Sequence, residues 1–485
     1  MIKSITAWFK TRTALLWLAS LSLLIDAGVY GIIIPALPDI LQRDMGASTT
    51  VNGLLIAFYG LGVLIGAPTV SYYSDKNEVR RMPMIYGFIL LAVSSMGIGL
   101  SKKVYQLFIA RLGQGIASGV TWSLGLGMLI DVYPSDKLDS PISIVYSCFT
   151  IGVLGGPFLG GVIYRYGGIM SVAYLMTAVS ILNLAFRILV PDTKELKVIL
   201  AMTDAENEQA NDTNEIIKSN NTEESISTNK EKSSEQDMPS GSNQETPISE
   251  KRSDLPEANL GFFDLIKDSR VLACCFVVVL TYGVLGSLEV VLPIVFDETF
   301  KLTSDKIGYT FIAFSVPSVI AFSVPSVIGG LIVGRLVDSK YMNSKFGTEK
   351  KRYVVMFLGN VISGVFIICI GLSKTIPLNI VFMSFVGFFT GAGDVSIMAA
   401  LGSHVSVMGK RKLATGLYSK LGSGANSMAY SLFNVSYSIA VIVLPLLSSV
   451  ILKASSIIVV CILLGIMLIT GVSLSTGYVY FKTKD

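Results

Sequence analysis

Twelve apolar stretches of roughly helix-spanning length divide the chain. The first six fall near 14–36, 52–73, 83–101, 106–130, 141–164 and 169–190. The second six fall near 271–296, 308–336, 353–373, 376–402, 426–451 and 455–481. Each run is continuous rather than alternating, so the pattern predicts membrane helices and excludes a membrane barrel. The predicted fold is all-α and polytopic, with twelve transmembrane helices in two six-helix lobes. The expected divisions are 1–13, an N-terminal lobe 14–190, a linker 191–260, a C-terminal lobe 261–481 and a tail 482–485. The run from Ala14 to Pro35 is too long for a signal peptide and has no small-residue cleavage site, so it reads as the first helix.

Composition narrows the class. Of 485 residues, 52% are hydrophobic and 15% charged, against about 25% charged in a soluble chain. Net charge is only +4, with no basic patch joined to an aromatic surface, so no nucleic-acid partner is expected. All five cysteines lie in apolar runs, and the single histidine, His404, has no ligand company. No metal, cofactor or enzymatic nucleophile is therefore expected.

Residues 203–258 break the pattern. They contain no aromatic side chain and 14 acidic against 5 basic residues, a net of −9 that leaves +13 for the rest. Such a segment cannot bury enough apolar surface to order itself, so it reads as a disordered linker. Lys and Arg near the membrane then divide 19 to 8 in favour of the side that holds both termini and the linker. That side is expected to be cytosolic, which leaves the acceptor patterns at Asn211 and Asn220 bare.

The halves look like internal repeats. Ser71–Asp75 answers Gly334–Asp338, and Pro157–Gly161 answers Pro445–Ser449. A separate tandem copy, Ala313–Ile320 repeated at Ala321–Ile328, adds about 12 Å to the eighth helix and two prolines, so a long or kinked helix is expected there.

Charge inside the apolar runs marks candidate chemistry. Asp26 lies in the middle of helix 1, Glu289 in helix 7 and Asp394 in helix 10. Each costs about 2–3 kcal/mol to insert if charged. A carboxylate in a wet cavity binds a proton or a cationic solute, not both well, and that competition suffices to couple the two. A structural hydrogen bond to a neighbouring helix is the other reading of each. Arg111 lies in helix 4 and should face a cavity or partner, or else snorkel to the helix end.

Two motifs sit beside these charges. After helix 2 the chain reads Asp75-Lys-Asn-Glu-Val-Arg80-Arg81. Asp75 would face Arg80 or Arg81, and Asp131 at the end of helix 4, as a gating latch, with Asp338 as its repeat. The alternative is a plain basic loop. Helix 5 carries Gly152, Gly156, Pro157, Gly160 and Gly161 in the pattern Gly-x3-Gly-Pro-x2-Gly-Gly. These residues allow close packing and a bend, whether for packing alone or for gating.

On these motifs the chain resembles the major facilitator superfamily, and within it the 12-helix drug:proton antiporters. It departs from their loop pattern in having Ser71 for the usual Gly. Asp26, Glu289 and Asp394 resemble acids of the vesicular amine transporters and their fungal relatives. The Lys and Asp that pair in the animal proteins are here Tyr59 and Asn434, which fits the fungal branch. The resemblance implies a proton-coupled antiporter exporting or sequestering an organic cation, amine or amphipathic drug. It implies a monomer in the plasma or a vacuolar or vesicular membrane, with Asp26, Glu289, Asp394 and Arg111 in coupling. Tyr30, Tyr59, Trp122, Phe149 and Asn434 would line the cavity. A proton symporter or uniporter for a polar solute, and a non-transporting receptor on the same scaffold, are the rival readings.

Overall fold

In the computed structural model the apolar runs are helices, because only a helix satisfies its own backbone within lipid. The structure describes residues 8–199, 202, 262–300, 322–414 and 426–482. Short stretches at 34–35, 38–39, 42–44, 47–48, 135–136, 323, 348 and 374 are excepted, as are some side chains, including that of Glu289. The expected disordered linker at 203–258 and the first copy of the tandem repeat lie outside the described residues.

The first lobe contains α1 (Arg12–Ile33), α2 (Thr49–Asn77), α3 (Arg81–Leu100) and α4 (Val104–Val132). A continuous helix, Asp139–Leu189, then breaks at Gly168 into α5 (139–167) and α6 (169–189). Gly168 has φ +67°, a conformation that costs glycine little and other residues more. The second lobe contains α7 (Ser269–Phe300), α8 (Val324–Val337), α9 (Lys350–Leu372), α10 (Ile376–Ala414), α11 (Asn426–Ala454) and α12 (Ile457–Lys482). Among the described residues nine helices, one of them the kinked Asp139–Leu189, are long and apolar enough to cross a membrane, which is consistent with the expected twelve spans. The apolar pattern ends helix 10 near 402, but α10 runs to Ala414. Its last turns carry His404 and the basic Lys410–Lys412 stretch, which need no lipid to stay helical.

Packing repeats with the same logic in both lobes. In the first, α1 pairs with α5, α2 with α4, and α3 with α6. In the second, α7 pairs with α11, α8 with α10, and α9 with α12. The lobes meet where α11 packs on α2 and α4, and where α5 packs on α8 and α10. These contacts too are related by the repeat. The start of α1 and the end of α12 lie at one end of the bundle, the termini end. There Tyr133 donates to the Arg12 carbonyl, and Lys482 reaches Ser269 at the start of α7. Large apolar side chains such as Phe158 and Phe481 face outward, where a bilayer would cover them.

Candidate functional site

Asp26 stands on α1 with its carboxylate buried against α4. Ser118 donates to Asp26 Oδ2 at 2.6 Å, and Tyr59 from α2 donates to Ser118 at 2.8 Å. The Trp122 indole lies beside the same carboxylate. Tyr30 and Tyr59 pack ring against ring at 4.7 Å. The fully buried Arg111 places its guanidinium 5.6 and 5.9 Å from their ring centres. Arg111 is also tied to Gln114, which donates to Ser95 on α3. Arg111 is therefore held inside the lobe by polar and ring partners rather than lying at the bundle's surface. Such ring faces offset part of the cost of burying a cation.

Asp394 stands fully buried on α10 of the other lobe. Its principal partner comes from across the interface: Tyr146 on α5 donates to Asp394 Oδ2 at 2.7 Å. Tyr282 of α7 lies beside the same carboxylate. Between the two acids runs a chain of rings. Trp122 meets Phe149 edge-on at 4.6 Å and stacks on Phe433 of α11 at 6.2 Å. Phe149 lies 6.1 Å from Tyr146, and Tyr282 lies 5.7 Å from Phe433 and 5.1 Å from Tyr437. Asn434 crosses the interface as well, donating to Ser123 of α4 at 3.2 Å.

At the termini end two latches tie the lobes. Arg80 pairs with Asp75, and with Asp131 at 3.1 Å. It also donates to Ser427 on α11, and Asp75 accepts the Met428 backbone N–H at 2.9 Å. In the second latch Asp338 accepts the Ser140 backbone N–H at 2.7 Å. Each carboxylate thus sits at the positive N-terminal end of a helix from the opposite lobe. Burial and the neighbouring Asp139 push the Asp338 carboxyl above its ordinary range. Asp139 itself, fully buried at the start of α5, takes a two-pronged bond from Arg352 of α9, at 2.6 and 2.9 Å. Lys351 lies 3.9 Å from both Asp139 and Asp338. Of the basic pair, Arg80 enters the latch. Arg81 turns to the Ile188 carbonyl, while its N–H and that of Arg80 point to Asp192, just beyond α6.

Helix 5's glycines serve α1. A Cβ on Gly156 would lie 2.7 Å from the Gly28 carbonyl oxygen, and one on Gly160 would collide with the Ile32 carbonyl. Pro157 packs against Gly31. Gly160→Leu is expected to lower the fraction of folded, monodisperse protein and its Tm, by an overpacking cost of at least about 1–3 kcal/mol. Thermal unfolding in detergent checks this; an unchanged Tm would show that α1 and α5 can part at no cost.

Several of these residues carry no signal in a linear reading. Asp139, Lys351 and Arg352 lie at helix starts, where charge is ordinary. Tyr146 has a faint one: Asp139, Ser143, Tyr146 and Thr150 share one helical face of small and polar groups.

The family model described as Major Facilitator Superfamily matches residues 19–427 and 274–484. An uncharacterized MFS-type transporter of Schizosaccharomyces pombe is 28% identical over 41% of this chain and 46% of its own length. The synaptic vesicular amine transporter of Rattus norvegicus is 25% identical over 76% of this chain and 58% of its own. The class E tetracycline resistance protein of Escherichia coli is 30% identical over 35% and 41% respectively. The chain therefore spans about half the length of the curated relatives it matches. Among solved structures, the human organic anion transporter MFSD10 (TETRAN) superposes with a TM-score of 0.64, covering 96% of this chain and 99% of that one at 14% identity. That likeness concerns the fold.

Proposed function

The chain belongs to the Major Facilitator Superfamily, and on that premise we propose that it exchanges protons for an organic cation or amphipathic drug by alternating access. It is an integral, multi-pass membrane protein. The observation that carries the proposal is the pair of buried carboxylates, one per lobe, joined by rings across the interface. Aromatic faces attract organic cations, and the acids at either end supply the charge such a ligand needs. A proton and a cation then compete for the same carboxylates, so loading one favours release of the other. The latches supply the second requirement, a contact that holds one end shut while the other exchanges solute. The basic end, where α1 starts and α12 ends, is assigned to the cytosol by the positive-inside rule.

The relatives' names point in two directions, to amines and tetracycline and to organic anions. The two interior acids favour the cationic side. Glu289 is retained in the proposal through its place on α7; its side chain lies outside the described residues.

The test uses the full chain in liposomes with an acidic lumen and a panel of organic cations. Accumulation that collapses on adding a protonophore is the expected result. Absence of pH-driven uptake by every cation tested would overturn the proposal. Alkalinisation of the outside medium on adding a polar solute would favour proton symport instead.

A further inference from the structure

We propose that Tyr146 is a positioning residue that ties the proton occupancy of Asp394 to the contact between the lobes. The inference rests on the exchange reading above and adds a residue and a direction to it. Tyr146 is buried on α5, on the face that meets the second lobe. Its hydroxyl donates to Asp394 Oδ2 at 2.7 Å and lies 3.4 Å from Ser326 of α8. Its ring passes over Gly330 of α8, where a Cβ would lie 3.6 Å from Tyr146 Cδ1. The hydroxyl is therefore aimed across the interface, with the ring packed on α8.

A hydroxyl bond to an ionised carboxylate is about twice as strong as one to a neutral group. Tyr146 travels with α5 and Asp394 with α10, so this bond exists only while the lobes touch there. The same part of the interface holds the Ser140–Asp338 and Arg352–Asp139 contacts. An ionised Asp394 thus favours closure of the termini end. A proton on Asp394, or a cation that takes over its charge, weakens the tie and favours opening.

The other polar groups facing this stretch of α10 are Tyr282 from α7, Asn360 and Ser363 from α9, and Tyr430 from α11. Tyr282 neighbours the carboxylate itself. Asn360 is engaged by Thr281 and the Met356 carbonyl, Ser363 by Thr390, and Tyr430 by the Met398 carbonyl. Among the described residues, no charged side chain competes with Tyr146 for Asp394.

The test places spin labels at the exposed positions Lys137 and Lys340, one in each lobe at the termini end, with the native cysteines replaced. In the full chain in liposomes, the label-to-label distance is followed against pH. The unsubstituted tie is expected to give a short distance at alkaline pH and a growing long-distance population as pH falls. Tyr146→Phe keeps the ring and removes the donor. It is expected to enlarge the long-distance population about tenfold at alkaline pH, and to flatten the pH dependence. In an Asp394→Asn background the same substitution is expected to add nothing. An equal effect of Tyr146→Phe in both backgrounds would show a packing role only and overturn the proposal, as would no effect in either. The pH titration of the unsubstituted tie is also compared with that of Asp394→Asn alone. Identical distance profiles in those two proteins would overturn the proposal even where Tyr146→Phe folds poorly. Should Asp394→Asn leave the pH dependence of transport intact while the distances behave as expected, the exchange reading fails and the tie stands.

Discussion

Asp26→Asn is expected to abolish acid-driven cation uptake, by about 100-fold or more, the scale on which positioned proton-transfer groups act. The substitution preserves shape. Asn can still receive the Ser118 hydroxyl and face Trp122, so the lobe should fold and the protein should purify as before. What disappears is the ability to hold a negative charge that either a proton or a cation can neutralise. Because Tyr59, Ser118 and Asp26 form one hydrogen-bonded chain, the loss should not be made good by a neighbour. Cation-for-cation exchange in the same liposomes, with no pH difference, separates two roles. Exchange that persists while the pH response vanishes assigns Asp26 to the proton alone. Loss of both assigns it to both ligands. Uptake that keeps its rate and its pH profile would leave Asp26 a structural group and remove the first support of the proposed coupling.

The second large effect is expected at the termini end. Arg352→Gln leaves the buried Asp139 without its two-pronged partner. Breaking a buried ion pair from one side costs about 3–5 kcal/mol. Lys351 stands 3.9 Å away and can move in, so the lower figure applies. Since Asp139 belongs to one lobe and Arg352 to the other, the loss falls on the closed arrangement rather than on either lobe's own fold. A shift of about 3 kcal/mol moves the closed-to-open ratio by roughly 150-fold. The measurement is the rate at which a water-soluble thiol reagent labels a cysteine placed at Ser140, which lies under the latch. A strong acceleration is expected. A rate equal to that of the unmutated latch would mean that Asp75 and Asp338 hold the end shut alone. Removing both partners, with Asp139→Asn added, should recover part of the loss, because the orphaned charge is then gone.

What the linear sequence revealed follows from cost. A carboxylate in an apolar run is expensive and therefore rare, so Asp26 and Asp394 stood out without any structure. The glycines of helix 5 stood out by spacing, and the loop at Asp75 by its motif. The all-helical, multi-pass plan was equally open to view, since lipid forces each crossing to be a long apolar helix. The latch around Asp139 was not. Asp139 and Arg352 are 213 positions apart, and each sits at a helix start where charge costs nothing. Only the tertiary fold makes them partners and buries them. Tyr146 was hidden for a different reason. It is one of 20 tyrosines, and its neighbour Phe149, three positions on, draws attention first as a cavity residue. What distinguishes it is an acceptor on a helix that follows 248 positions later. The choice of Arg80 over Arg81 was likewise a matter of which way each side chain leaves the same turn.

The glycine contacts between α1 and α5 carry one more implication. With backbone lying on backbone at Gly152, Gly156 and Gly160, only small groups such as the Pro157 ring and the Ala27 methyl stand between the two helices. Asp26 is mounted on one and Tyr146 on the other, so both ride a single stiff beam. In the proposed exchange, a movement of this beam would therefore shift Asp26 and the Tyr146–Asp394 tie together.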